Sequence, residues 1–163
     1  MADLPQRKKN RLDNYDYSEN GAYFITICIK NKHEMLGRID VGAINNRPQI
    51  QLSEYGIIVD ASIKLISIHY PQIEVDKYVI MPNHIHIILF INNDDVNGRL
   101  LIAPTSVSIV VKEFKRHVSK QIGFSLWQKS FYDHIIRDKQ DYQTKWNYID
   151  KNTEKWAEDE YYG

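Results

Sequence analysis

Apolar and polar positions change their period along this chain, and the changes mark out the elements. Residues 1–20 are polar and read as a loose arm. Residues 23–30, Tyr-Phe-Ile-Thr-Ile-Cys-Ile-Lys, are dense in β-branched and aromatic side chains, the composition of a strand. A second strand is expected within 35–44, a turn at Asn45-Asn46-Arg47-Pro48, and a short return strand over 49–52. Ser53 then caps a predicted helix that runs to His69 and stops before Pro71. On it Ile57, Ile58, Ala61, Leu65 and Ile68 recur at helical spacing and read as the buried stripe. Residues 73–80 and 83–91 read as two strands joined by a tight turn near Met81-Pro82. After a polar connection over 92–105, a second helix is expected from Ser106 to Ile122, with Gly123 as its stop. Its apolar stripe is Val107, Val111, Phe114, Val118 and Ile122. A last strand over 131–136 and a third helix over 139–156 complete the order. Strands, helix, two strands, helix, strand and helix predict an α+β fold. The specific expectation is a ferredoxin-like variant, an antiparallel sheet carrying helices on one or both faces.

Composition narrows this picture only a little. A length of 163 residues suits one domain with a single core. Lysine plus arginine and aspartate plus glutamate number 21 each, so no global field announces a nucleic-acid partner. The charge is uneven, however. Arg7, Lys8, Lys9 and Arg11 form a basic start, bases outnumber acids over 112–155, and Glu158-Asp159-Glu160 make the tail 157–163 acidic. A local basic face binds phosphates even at zero net charge. The single cysteine, Cys28, excludes a disulfide framework within one chain, and a cytoplasmic location is the simplest expectation. No run has the length of a membrane span, and the polar start lacks an apolar signal core.

Candidate chemistry begins with His84 and His86. On a strand, residues two apart point to the same face, so the two imidazoles project together while Ile85 faces the other way. The pair reads either as a metal site or as polar residues on a half-exposed sheet face. The apolar run Ile87-Ile88-Leu89-Phe90-Ile91 favours a central strand, where two polar rings need a use.

The third helix supplies a second candidate. At about 100° per residue, Tyr142, Trp146, Ile149, Thr153 and Trp156 gather on one side as a core stripe. Lys145, Tyr148, Lys151, Asn152 and Lys155 gather on another. Tyr148 therefore reads as a surface tyrosine or as a group that meets a phosphate among lysines. Asn152, one turn later, reads as a solvent-facing amide or a helix-end cap. Lys112, Lys115, Arg116 and Lys120 lie off the second helix's stripe and, with Lys145 and Lys151, are candidate phosphate contacts, which the resemblance described below makes contacts to a DNA backbone. His134 is assigned to packing, or to DNA through the resemblance given below, His117 to a phosphate contact, His33 and His69 to the surface, and Tyr132 to structure. Trp127, Phe131, Tyr15 and Tyr17 are candidate stacking aromatics. Neither a glycine-rich phosphate loop, a Ser-His-Asp arrangement nor a cysteine-rich zinc site is present.

Three ordered blocks carry a family resemblance. Met81-Pro82-Asn83-His84-Ile85-His86-Ile87-Ile88-Leu89-Phe90 resembles the His–hydrophobic–His motif of single-tyrosine transposases. The run from Trp127-Gln128 through Phe131 and His134 to Ile136-Arg137 resembles the Trp-Gln-x-x-Phe-x-x-His-x-Ile-Arg signature of the REP-associated tyrosine transposases. Tyr148-Ile149-Asp150-Lys151-Asn152 resembles that family's final helix. One departure is Thr153, where the family usually has proline, which leaves the end of that helix open. The likeness spans residues 20–156 and implies a catalytic domain over 21–156. It implies Tyr148 as nucleophile, and His84, His86 and Asn152 as ligands of Mg²⁺ or Mn²⁺. It further implies cleavage and rejoining of single-stranded, hairpin-flanked DNA through a 5′-phosphotyrosine, leaving a free 3′-OH. Work at a prokaryotic nucleoid is expected, with the site formed in one chain or across a homodimer. The alternatives are a non-catalytic or domesticated DNA-binding module of the same fold, and a metal-dependent phosphoesterase.

Overall fold

The computed structural model describes residues 15–40, 48–94 and 105–156. The basic cluster at 7–11, most of the 45–48 turn and the acidic tail lie outside the described residues. Strand β1 (Gly21–Cys28) is followed by a hairpin of β2 (Gly37–Asp40) and β3 (Gln49–Leu52), then helix α1 (Glu54–His69). Strands β4 (Ile73–Met81) and β5 (His84–Ile91) precede helix α2 (Val107–Ile122), strand β6 (Tyr132–Ile136) and helix α3 (Lys139–Asp150). The main sheet has the order β4-β5-β1-β6, with every neighbouring pair antiparallel. With β2 and β3 set aside as an inserted hairpin, β1-α1-β4-β5-α2-β6 in this order is the ferredoxin-like arrangement predicted above. Helix α3 is an addition at its end.

Strand periodicity splits the molecule into layers. Tyr23, Ile25 and Ile27 of β1 and Ile85, Ile87 and Leu89 of β5 face α1 and α2 in the main core. On the opposite face Phe24 and Ile88 pack with Ile149, Trp146 and Tyr142 of α3. That second, thinner layer also takes Thr26, His84 and His86, because they share the parity of Phe24 and Ile88 on the same two central strands.

Local signals fix most boundaries. The Ser53 hydroxyl accepts from the Gly56 N–H and Ser106 accepts from Ile109, so both helices start on capped ends. Gly123 closes α2 in the left-handed region at φ 98°. Three expectations need correction. Helix α1 buries Gly56, Val59, Ser62, Ile63 and Ile66, not the predicted stripe, and leaves Ile57 and Ile68 60% and 71% exposed. The helix is apolar around most of its circumference, so spacing alone does not choose its phase. Gly56 does: a Cβ there would run into the Leu36 carbonyl, and this close approach turns its face inward. Helix α3 ends at Asp150, six residues before the predicted end, and residues 151–155 form turns. Finally, Tyr15 and Tyr17 are not in a loose arm; they pack on the core beside Tyr23, whose hydroxyl donates to the Glu19 carbonyl at 2.6 Å.

Candidate active site

The β4–β5 hairpin delivers the histidines. Met81 and His84 are paired, so Pro82-Asn83 form a two-residue turn. Neighbouring backbone pins it: the Pro82 carbonyl accepts from the Leu36 N–H at 3.0 Å and the Asn83 carbonyl from Ile29 at 3.0 Å. His84 and His86 follow directly on central β5 and are 0% and 1% exposed.

Each imidazole is held by its Nδ1. His84 Nδ1 lies 2.7 Å from Asn83 Oδ1, and His86 Nδ1 lies 2.7 Å from Thr26 Oγ1, its cross-strand partner. The Asn83 amide nitrogen donates to the Lys32 carbonyl at 3.4 Å, so the oxygen faces His84. His84 therefore donates from Nδ1 and turns its Nε2 toward His86. Burial, then the neighbouring His84, then Lys145 hold the His86 pKa well below the usual imidazole value, so the ring is neutral. A neutral ring oriented through Nδ1 is the state in which imidazole binds a metal through Nε2.

The donor set fits a divalent ion. The two Nε2 atoms are 3.0 Å apart. Adjacent donors at right angles on one ion, with bonds of about 2.1 Å, would be separated by roughly 3 Å. Among the described residues no group of three His, Cys, Asp or Glu side chains converges. A third protein donor at this pair would thus be an amide or a hydroxyl. Asn152 is 3% exposed, in the turn after α3. That turn lies between Tyr148, whose ring centroid is 5.2 Å from that of His86, and Trp156, 6.0 Å from that of His84.

Tyr148 sits in the last turn of α3, 39% exposed. Its ring meets His86 and Phe24 edge-on, the latter at 6.0 Å. It opens onto a cleft of about 560 Å³, also lined by His86, Thr26, Lys145, Gln128 and Tyr132. Lys145, one turn earlier, holds its ammonium 5.1 Å from the Phe24 ring centre, on the cleft wall. Tyr148 and Asn152, read from the helix wheel as sharing a surface face, part company in the structure. The helix ends between them, and one is half-exposed while the other is buried.

The remaining candidates scatter. Lys115 turns its ammonium inward, donating to the Gln128 carbonyl at 2.6 Å and the Ser130 carbonyl at 3.1 Å. Arg116 pairs with Glu113 at 3.0 Å; Lys112 and Lys120 are exposed on α2, and Lys151 is exposed just after α3. Sequence reasoning missed Thr26, Gln128 and Tyr132 in the cleft wall and the buried Asn83 behind His84. Thr26 was signalled by its parity with the histidines once β1 and β5 are paired. Tyr132, read as structural, is 47% exposed in the cleft. His134 also lines the cleft and binds Asp141, its Nε2 lying 2.8 Å from one carboxylate oxygen.

Known proteins resemble the chain in sequence and in fold. No protein-family model matches the chain. An uncharacterised Haemophilus influenzae protein is 35% identical over 179 residues, spanning 99% of this chain and 96% of that protein. A second protein of that organism, assigned to the REP-associated tyrosine transposases, is 26% identical and spans 88% of this chain and 77% of its own length. The REP-associated tyrosine transposase of Escherichia coli K12 is 25% identical over 82% of this chain and 66% of that protein. Among solved structures, a REP-associated tyrosine transposase bound to a REP hairpin superposes with a TM-score of 0.65 at 21% identity, covering 89% of this chain and 73% of that one. In sequence the chain is similar to REP-associated tyrosine transposases at 25–26% identity, and it shares the fold of the one solved with a REP hairpin.

Proposed function

We propose that the protein cuts and rejoins single-stranded, hairpin-flanked DNA through Tyr148, with Mg²⁺ or Mn²⁺ held by His84, His86 and Asn152. One observation carries the reading: the exposed Tyr148 ring stands against His86, one of two buried imidazoles whose Nε2 atoms converge to 3.0 Å. A nucleophile and a metal-type donor pair thus share one open cleft.

The chain's residues divide the work. Lys145 brings positive charge to the cleft, attracts the phosphate and favours the phenolate, since a free phenol titrates near about 10. The Tyr148 oxygen forms a bond to phosphorus, the bond from phosphorus to the 3′ oxygen breaks, and that oxygen takes up a proton as a 3′-OH. The phenolic proton leaves to solvent. When bound, a divalent cation on the two imidazoles and the amide withdraws charge from the phosphate oxygens. Asn83 and Thr26 hold the imidazoles in register for it. The phosphotyrosine keeps the energy of the phosphodiester, so a second 3′-OH reverses the step and joins strands without a nucleotide cofactor.

The test uses labelled hairpin DNA from beside the protein's own gene, with Mn²⁺, on a denaturing gel. A covalent protein–DNA band is expected from the parent protein and from neither His86→Ala nor Tyr148→Phe. A product formed without any covalent band would instead identify hydrolysis by activated water.

A further inference from the structure

A second groove, of about 610 Å³, lies between α2 and the segment leading into β6. Its lining includes Lys30, Lys112, Lys115, Arg116 and Lys129 and no carboxylate. In a chain with no net charge, that is a local concentration of one sign. The groove and the Tyr148 cleft share one wall residue, Gln128. Gln128 is fixed from both sides: its N–H donates to the Cys28 carbonyl at 2.9 Å and its carbonyl accepts from Lys115. It therefore forms a rigid saddle between the two depressions. Trp127, on the groove wall, keeps its indole N–H without an acceptor among the described residues.

We propose that this groove is a second DNA subsite. It takes the sugar-phosphate backbone of the strand that leaves the catalytic cleft over Gln128. The assignment rests on the reading of that cleft as the DNA-cleaving site. The geometry also sorts the lysines. Lys115 spends its donors on two backbone carbonyls and shapes the saddle. The exposed Lys112 and Lys129 are the phosphate contacts.

Affinity at several salt concentrations tests this. A Tyr148→Phe protein, which cannot consume its DNA, is titrated with hairpins carrying about six unpaired nucleotides on one or the other side of the cleavage position. Lys112→Ala plus Lys129→Ala is then added. One of the two extended hairpins should bind more tightly than the blunt one. On that DNA the double substitution should lower the salt slope by about 1.4, roughly 0.7 for each lost single-strand phosphate contact. On the blunt hairpin it should change nothing. Equal slopes for parent and double variant on both extended DNAs would overturn the assignment. Covalent adduct formation by the chain with Tyr148 intact is scored separately. Its absence alongside a slope change would overturn the cleavage reading and leave the groove as a DNA subsite.

Discussion

His84 and His86 owe their usefulness to Asn83 and Thr26. Each neighbour engages Nδ1 and leaves Nε2 for the partner ring or a cation. Removing either neighbour should loosen ring orientation while sparing the fold. Thr26→Val, close in shape, and Asn83→Ala are each expected to weaken Mn²⁺ binding by about 10- to 100-fold, measured by calorimetric titration. Retention of parental affinity in both would mean the hydrogen bonds serve only to satisfy buried polar atoms. Lys115 makes the complementary case. It lies on the polar side of α2 in sequence, yet it ties two carbonyls of the segment entering β6. Lys115→Met should lower unfolding free energy by about 1.5–3 kcal/mol in urea denaturation, the range for hydrogen bonds made by a charged donor. A change within error would return Lys115 to the surface. The residue types of the site were legible in the sequence, because alternation along β5 puts both histidines on one face. The supporting Thr26 was not, since it comes from another strand and only the β1–β5 register makes it the partner of His86.

Elements were easier to read than their orientation. Capping serines and the stop at Gly123 gave α1 and α2 nearly to the residue, because those signals are local. The phase of α1 was not local. Its isoleucines support two stripes, and contact with the β2 hairpin through Gly56 and Leu36 selects between them. Gly56→Ala should therefore destabilise the protein by about 1–3 kcal/mol, the usual cost of overpacking, although alanine is the better helix former. Equal or greater stability of that variant in urea would remove Gly56 as the phase-setting residue. The end of α3 also escaped the sequence. Helical periodicity continues through Trp156 on paper, while the helix ends at Asp150 and the following turns bury Asn152.

At the scale of the molecule, the sheet separates two jobs. One face, covered by α1 and α2, is an apolar core; the other carries the histidines beneath α3. The apolar core and the proposed chemistry therefore use different faces of the same central strands. Tyr148→Phe should unfold at the parent's urea midpoint and retain Mn²⁺ binding, since its ring is half-exposed and the proposed donors are His84, His86 and Asn152. The cleft also holds a second accessible tyrosine, Tyr132, on β6. The most direct measurement is thus the site of covalent attachment: protein trapped on hairpin DNA with Mn²⁺, digested with nuclease and protease, and mapped by mass spectrometry. The nucleotide remnant should sit on Tyr148 and disappear when EDTA is present. A remnant on Tyr132, or on no tyrosine despite cleaved DNA, would contradict Tyr148 as the nucleophile.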